Sequence, residues 1–258
     1  MVDLLNNIRL SISFFTRLPV GNIKGLKEDA FEKSIWYAPI SGMLIGILSS
    51  LTFLLGNYFF SPLITSLLVV VVYVVLTGTL HIDGLGDFFD GVLSQKSGDD
   101  FIKVMRDSRT GTGGIVAIVL FLFMLTAILQ ELIIGLNLPA MLFVIWLWPV
   151  AGRSYLLLLP LIFSYPEKIK EGTAKSFFKD RKKFGHTLFF LLLFSIAGMI
   201  LLGLTGLIIA IVSGCLFLFT AYLISRKLDG LTGDMLGAIL EIGQLLFLLT
   251  CYVLLIII

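Results

Sequence analysis

The chain has 258 residues, of which 36 are charged (19 Lys or Arg plus 17 Asp or Glu), or 14%. A soluble domain would carry about 25%, roughly 65 charged side chains at this length. With 58% apolar residues and a mean hydropathy of +1.03, the composition excludes a disordered chain, a nucleic-acid-binding protein and an ordinary cytosolic enzyme. It indicates an all-α polytopic membrane protein, because a bilayer requires every backbone polar group to be satisfied within the protein.

The N-terminal segment, residues 1–34, is too polar to span a membrane. Within it, residues 3–18 carry apolar side chains at positions 4, 5, 8, 12 and 15, which is a helical spacing. This pattern predicts an amphipathic helix that lies at the membrane interface. Pro19 ends it, since proline disfavours helical geometry in the preceding residue.

Long apolar runs follow, and a spanning helix needs about 20 mostly apolar residues. We predict about seven transmembrane helices within a single membrane domain of residues 1–258, because no linker marks a domain boundary. The predicted spans are residues 35–56, 62–80, 114–134, 138–163, 187–203, 206–225 and 235–258.

The basic residues predict the orientation of these spans. Alternate connections hold five, four, seven and two Lys or Arg (residues 1–34, 81–113, 164–186 and 226–234), whereas the short turns between them and the C-terminus hold none. By the positive-inside rule, the N-terminus and the charged connections are cytoplasmic and the C-terminus lies outside. The bounding membrane of the cell is the expected location.

The connection 81–113 contains three aspartates, Asp83, Asp87 and Asp90, at positions i, i+4 and i+7. A helix would align all three carboxylates on one face, where they repel one another unless a cation lies between them. A solvated helix end is the alternative. Because carboxylates suit a hard ion that also binds water and phosphate oxygens, we predict that the three aspartates bind Mg²⁺.

The same connection continues with Met105-Arg-Asp-Ser-Arg-Thr-Gly-Thr-Gly-Gly114. The guanidinium groups of Arg106 and Arg109 match phosphate oxygens, and glycines let backbone N–H groups approach an anion at a helix start. Beside the acidic cluster, this pattern predicts phosphate-binding groups on the same cytoplasmic connection.

Three further groups are candidates for the site. Asp234 lies in the last charged connection, and Glu241 follows at i+7, about 10 Å deeper in the bilayer. Arg153 is at a similar depth in the fourth span. Buried charges at such depth require a partner or a wet cavity, so the two side chains form an ion pair, line the floor of the site, or do both.

Two other features have simpler interpretations. His81 adjoins the acidic cluster and could accept a proton, although a histidine at an interface is more often only hydrogen-bonded. The basic run 179–183 is most simply a topology and lipid-headgroup anchor. Acids for a metal, arginines for phosphate and apolar walls together suit phosphoryl-type transfer on a large or lipid-anchored substrate.

The order of these motifs resembles the cobalamin synthase family, also called adenosylcobinamide-GDP ribazoletransferase. The resemblance runs from residue 15 to about residue 246 and therefore covers nearly the whole chain. The matching motifs are Phe15-Thr-Arg-Leu-Pro-Val20, Leu76-Thr-Gly-Thr-Leu-His-Ile-Asp-Gly-Leu-Gly-Asp-Phe-Phe-Asp-Gly91, Met105-Arg-Asp-Ser-Arg-Thr-Gly111 and Thr232-Gly-Asp-Met-Leu-Gly-Ala238.

The resemblance implies an Mg²⁺-dependent transfer of the cobinamide-phosphate group of adenosylcobinamide-GDP to α-ribazole or its 5′-phosphate, with release of GMP. The expected partners are these substrates and membrane lipid, but no nucleic acid; a homo-oligomer and an association with other cobalamin-assembly enzymes stay open. By this resemblance the site comprises acidic residues, phosphate clamps and residues of the first and last motifs that contact substrate. They are Asp83, Asp87, Asp90 and Asp107 as catalytic acids, the first three also as metal ligands, Arg106 and Arg109 as clamps, and Arg17, Thr232 and Asp234 as further substrate-binding residues. Arg153 and Glu241 are added as substrate-binding candidates because of their depth and charge.

Three positions depart from the family pattern. Gly21 replaces a common Pro, Asp229-Gly230 replaces Gly-Gly, and Gln244 stands where a second Glu is common. The last departure weakens any role for a pair of glutamates in this helix.

Two other function classes are alternatives. A CDP-alcohol phosphotransferase also uses an aspartate cluster, but its pattern requires Ala-Arg and two later aspartates, whereas here Val-Leu-Ser-Gln follows Asp90-Gly91. A transporter or channel would distribute charges near the middle of several spans, whereas here the charges are concentrated on one face.

Overall fold

The structure is a computed structural model that describes residues 2–23, 25, 29–107, 109–169, 172–178 and 184–258. The described residues form helices and contain no strand. The helices are α1 (Val2–Phe15), α2 (Ala30–Ser34), α3 (Ala38–Phe59), α4 (Pro62–Thr77), α5 (Leu80–Leu93), α6 (Gly98–Met105), α7 (Thr112–Gly135), α8 (Leu138–Leu156), α9 (Leu159–Ile162), α10 (Phe184–Ser225) and α11 (Gly233–Tyr252).

Several of these helices are long and apolar enough to cross a bilayer. Five helical segments of the described chain are long and apolar enough to cross a membrane, or six if the bent pair α4–α5 counts as one span. Large apolar side chains such as Leu55, Phe123 and Ile200 are 65–75% exposed on the outer surface. Such an apolar surface requires a nonaqueous environment, so the prediction of an all-α multi-pass membrane protein is confirmed.

Helix α10 is too long for a single span, because its 42 residues would extend about 63 Å and the hydrocarbon core is about 30 Å thick. The helix is broken at Gly203, where φ is 65° and ψ is −153°. A Cβ on Gly206 would overlap the carbonyl oxygen of Gly198, although eight residues of a straight helix extend about 12 Å. The chain therefore folds back here, and its two arms match the predicted spans 187–203 and 206–225.

The connection 81–113 differs from the expected loop, because it contains helices α5 and α6. Helix α5 bends away from α4 by 94°, and Gly78 between them has φ +64°, a conformation that favours glycine. Helix α4 consequently ends at Thr77 rather than at residue 80. Because α5 is nearly perpendicular to a spanning helix, it extends along the bundle end and presents its aspartates there.

The amphipathic N-terminal helix is observed as α1, and it packs against α2 and α3. Its C-terminal end turns inward, with Phe15 only 2% exposed, while Leu4 and Leu5 on its first turn are about half exposed. The helix thus covers the end of the bundle on which α5 lies. Its position at a membrane interface stays a prediction.

Candidate active site

The three aspartates of the acidic cluster lie on α5, as the spacing predicted. Asp83 is exposed, and Asp87 and Asp90 are half-buried. Their environments differ, because α5 packs against α11 on one side and α7 on another. The carboxylates are therefore not three equivalent groups.

Asp90 holds the start of α7. One of its carboxylate oxygens accepts a hydrogen bond from the backbone N–H of Gly111 at 2.6 Å, and the other accepts one from Gly114 at 2.7 Å. A carboxylate at a helix N-terminus satisfies unpaired N–H groups and interacts favourably with the helix dipole. The backbone N–H groups that the sequence indicated for a phosphate thus donate to Asp90 here.

Asp234 joins the cluster where α5 crosses α11. A Cβ on Gly84 would lie 2.8 Å from the carbonyl oxygen of Asp234, and one on Gly237 would lie 3.0 Å from that of His81. The two backbones can approach this closely only because both residues are glycines. The crossing brings the first and last acidic motifs together, although about 150 residues separate them in the chain.

Asp87 lies close enough to the other aspartates for their charges to act on its pKa. Burial, followed by the negative charges of Asp83, Asp234 and Asp90, raises its pKa to about 7. Like charges that share a site disfavour ionisation of one another. The described residues nevertheless contain no group of three acidic, His or Cys side chains already converged on one metal position.

The arginine motif separates into two parts, with Ser108 between them outside the described residues. Arg109 pairs with Asp107, donating from Nη2 to Oδ2 at 2.9 Å and from Nε to Oδ1 at 3.1 Å. These hydrogen bonds lower the pKa of Asp107 to about 2. Both side chains are exposed. Asp107 therefore pairs with Arg109, and neither side chain is held against α5.

Arg106 is placed differently, at the C-terminal end of α6. It forms a hydrogen bond with the hydroxyl of Tyr165, and its positive charge acts on Asp234. Burial raises the pKa of the Tyr165 hydroxyl, which Arg106 partly counteracts. The structure therefore brings Arg106, but not Arg109, next to Asp234.

Two predicted substrate-contacting residues lie at the ends of helices. The guanidinium of Arg17 packs against Gly78 at the α4–α5 bend, and the backbone N–H of Arg17 donates to Leu76 at 2.7 Å. Thr232 caps α11, since its hydroxyl accepts from the backbone N–H of Met235. Both thus border α5 or α11, the helices that carry the acids.

Arg153 and Glu241 are completely buried, but they do not pair directly. Arg153 donates from Nη1 to the Gln244 side-chain oxygen at 2.9 Å, and the Gln244 amide donates to the Tyr73 hydroxyl at 2.8 Å. That hydroxyl lies 2.8 Å and 2.9 Å from the two Glu241 oxygens. The direct ion pair, one of the alternatives left open by the sequence, is therefore replaced by a network that Gln244 and Tyr73 bridge.

A cavity of about 300 Å³ opens beside this crossing. Its polar lining includes Arg106, Thr232 and Asp234, whereas Arg153 and Glu241 are not among its lining residues. The rest of the wall is apolar and combines aliphatic side chains with a smaller number of aromatic residues. These aromatic residues are Phe14, Phe15, Phe31, His81, Tyr165 and Phe177.

His81 is nine-tenths buried, and its ring stacks on Phe15 with centroids 5.6 Å apart and planes 16° apart. Burial and, as a smaller cause, the positive charge of Arg153 together lower its pKa to about 3. The imidazole is therefore neutral near pH 7 and acts as a flat wall of the cavity.

Sequence reasoning missed Tyr73, Tyr165 and the phenylalanines of the cavity wall. Aromatic residues are frequent in this chain, so nothing in the local pattern separated these from lipid-facing ones. A buried tyrosine usually finds a hydrogen-bond partner, which could have indicated Tyr73 in the middle of its span. The basic run 179–183 lies outside the described residues.

Comparison with known proteins yields one consistent family. The sequence profile described as cobalamin-5-phosphate synthase matches residues 7–252. A protein of Acetivibrio thermocellus named adenosylcobinamide-GDP ribazoletransferase is 35% identical over 254 residues, which cover 96% of this chain and 98% of that protein. Proteins of the same name from Alkaliphilus oremlandii (36% identical, 97% and 98% covered) and Clostridium acetobutylicum (34%, 94% and 94%) are similar to the chain as well.

No solved structure is significantly similar to the chain. The family profile and these relatives cover nearly all of the sequence, including every motif that forms the crossing of α5 and α11. The chain belongs to the cobalamin-5-phosphate synthase family.

Proposed function

We propose that the protein transfers the cobinamide-phosphate group of adenosylcobinamide-GDP to α-ribazole or α-ribazole 5′-phosphate. The products are GMP and adenosylcobalamin or its 5′-phosphate, the last assembly step of the cobalamin nucleotide loop. The observation that carries the proposal is the α5–α11 crossing, where Asp83, Asp87 and Asp234 lie beside a cavity whose wall includes Arg106. The names of the relatives supply the substrates.

The reaction requires a hydroxyl of the ribazole to attack the cobinamide-side phosphorus. A new P–O bond forms, the bond to the GMP oxygen breaks with its electron pair going to GMP, and the hydroxyl proton goes to a carboxylate of the cluster. Arg106 is suited to hold phosphate oxygens, because a guanidinium offers them a planar pair of donors. Arg109 can join it only by exchanging Asp107 for phosphate.

Mg²⁺ is part of the proposal. Asp83 and Asp87 are suitable ligands, since Mg²⁺ is commonly bound by one or two carboxylates with the remaining positions taken by water and substrate phosphates. Their mutual repulsion, visible in the raised pKa of Asp87, would be relieved by a cation. Mg²⁺ would neutralise phosphate charge, while Asp90 keeps the start of α7 against α5.

We assign the protein to the cell membrane, with the N-terminus and the active site cytoplasmic and the C-terminus outside. The distribution of Lys and Arg supports this orientation. Contact with lipid headgroups through the basic run 179–183, a homo-oligomer and association with other cobalamin-assembly enzymes belong to the same set of expectations. None of them is needed for the chemistry described above.

The decisive assay mixes purified membranes that contain the protein with adenosylcobinamide-GDP, α-ribazole and Mg²⁺. Release of GMP together with formation of a cobalamin is the expected result. The same membranes are also given a CDP-alcohol and its acceptor. Release of CMP there, without GMP release from adenosylcobinamide-GDP, would instead favour the CDP-alcohol phosphotransferase alternative.

A further inference from the structure

The cavity beside the acidic crossing has two aromatic groups in its wall. The first comes from the N-terminal segments and the start of α5. Phe14 packs edge-on against Phe15 at 5.0 Å and against Phe31 at 5.1 Å, and Phe15 stacks on His81. These rings form one contiguous aromatic cluster, in which Phe15 and His81 are nearly parallel and Phe14 meets its neighbours edge-on.

The second aromatic group comes from the segment between α9 and α10. Tyr165 and Phe177 both line the cavity, and both pack against Phe178, with ring centroids 6.3 Å and 5.4 Å away. A cavity with such walls suits a flat aromatic ring, because base–aromatic stacking contributes roughly 1–3 kcal/mol per base.

The polar residues of the lining determine which end of a bound ligand would lie next to the acidic cluster. Arg106 and Asp234 line the cavity, and Asp234 also belongs to the acidic cluster through its effect on Asp87. A molecule bound between the aromatic walls would therefore place its polar end next to the carboxylates and the guanidinium.

The size and chemistry of the cavity select among the proposed substrates. About 300 Å³ is at the lower end of the range of small-molecule sites, roughly 300–1,000 Å³, which suits one nucleoside and not the whole of adenosylcobinamide-GDP. The base of α-ribazole is a benzimidazole, a flat and mostly apolar bicycle. Guanine has a polar edge that needs several hydrogen-bond partners, and a mainly apolar wall leaves such an edge unpaired.

We propose that this cavity binds α-ribazole, with its benzimidazole between the two aromatic groups and its ribose directed to Asp234 and Arg106. This assignment rests on the proposed function. It makes Phe15, His81 and Phe177 residues that determine specificity for the acceptor, and it separates the acceptor site from the surface that binds the nucleotide end of the donor.

The test uses the full-length protein in detergent and two independent measurements. Isothermal titration with α-ribazole, and separately with guanosine, reports binding without turnover. Steady-state kinetics with Mg²⁺ report KM for each substrate. The variants are Phe15→Leu and Phe177→Leu, which remove a ring, and Ala174→Phe, which fills the cavity from its wall. Phe121→Leu is the control, because Phe121 is a buried phenylalanine of α7 outside the cavity.

Phe15→Leu and Phe177→Leu should each raise KM for α-ribazole roughly ten-fold, the loss expected for one stacking partner. KM for adenosylcobinamide-GDP should stay unchanged, and Phe121→Leu should resemble the unaltered protein. Ala174→Phe should abolish binding of α-ribazole even if the leucine variants fold poorly.

Equal changes in both KM values, binding of guanosine instead of α-ribazole, or full binding in Ala174→Phe would overturn the assignment. If the unaltered protein binds α-ribazole but releases no GMP, the proposed reaction fails while the cavity assignment stands. If the unaltered protein releases GMP but the variants change neither α-ribazole binding nor its KM, only the cavity assignment fails.

Discussion

At the scale of single residues, Asp87 combines a stability cost with a proposed function. Its raised pKa means that the folded protein favours the protonated carboxyl, so the ionised form disfavours folding. Asp83 on the preceding turn is exposed, whereas Asp87 is half-buried. The two aspartates should therefore respond differently to removal of their charge.

Asp87→Asn and Asp83→Asn should each reduce GMP release by at least a hundred-fold if both carboxylates bind Mg²⁺ and position the reacting groups. In the presence of a chelator, Asp87→Asn should in addition raise the melting temperature. The pKa of Asp87 is raised to about 7, so folding stability is lost as pH rises from the ordinary carboxyl range to about 7. The gain from Asp87→Asn should therefore be larger at pH 8 than at pH 5.

The exposed Asp99 on α6 offers a matched control, and Asp99→Asn should change neither activity nor the melting temperature. An Asp87→Asn variant that melts lower than the unaltered protein at pH 8 would contradict the electrostatic account. Undiminished Mg²⁺ affinity after all three of Asp83, Asp87 and Asp90 are changed to Asn would rule out the metal site.

Gln244 offers a second prediction at this scale, because it is the only bridge in the described network between the Arg153 guanidinium and Tyr73. Gln244→Leu leaves Arg153 buried without this acceptor, and a lost hydrogen bond to a buried charge costs about 1.5–3 kcal/mol or more. Gln244→Glu keeps an acceptor for Arg153. In thermal unfolding in detergent, the melting temperature of Gln244→Leu should therefore be well below that of Gln244→Glu. Equal melting temperatures of Gln244→Leu and the unaltered protein would contradict the network.

At the scale of elements, the decisive contact is the crossing of α5 and α11. A Cβ on Gly84 would lie 2.8 Å from the Asp234 carbonyl oxygen and 3.0 Å from its Cα, which is closer than Cβ atoms approach backbone. The helices would have to separate, and overpacking of this kind costs typically about 1–3 kcal/mol. The crossing thus couples stability to the spacing between Asp83 and Asp234.

Gly84→Ala should lower the melting temperature and reduce turnover at least ten-fold, since the two acidic motifs move apart. Gly185→Ala near the start of α10 is the control, because no atom lies within 4 Å of its added Cβ. The measurements are thermal unfolding and GMP release on both variants. Normal turnover in Gly84→Ala would show that the spacing of the two helices does not matter.

At the scale of the whole molecule, the distribution of charge predicts the orientation of the protein in its membrane. By this prediction the exposed Ser97 between α5 and α6 is on the cytoplasmic side, and the exposed Asn57 near the end of α3 is on the opposite side. Cys215 is exposed while Cys251 is buried, so labelling experiments need a Cys215→Ser background.

In intact cells, an impermeant maleimide should label Asn57→Cys and leave Ser97→Cys unlabelled. After the membrane is permeabilised, both should react. The reverse pattern would invert the orientation and place the acidic helix outside, where the cytoplasmic substrates could not reach it.

Much of this architecture could be predicted from local patterns. The spacing of Asp83, Asp87 and Asp90 predicted a shared helix, and uninterrupted apolar runs predicted the spans because a bilayer core excludes other local structures. The 94° bend before α5 was missed, since Gly78 indicates a turn without giving its angle. The bridge between Arg153 and Glu241 was missed for a related reason: side chains from α4, α8 and α11 meet there, and no local spacing reports that meeting.

The sequence by itself determined the helical membrane architecture and the family, and it predicted the candidate site residues, because hydropathy and ordered motifs are properties of short segments. Only the tertiary structure decided which of those residues meet. In the folded chain Asp234 lies against α5, and Asp90 accepts hydrogen bonds from the start of α7. Arg109 pairs with Asp107, and segments far apart in the chain together line the cavity. Such contacts depend on how closely helices approach and at what angle they cross, and these quantities follow from packing of the whole molecule.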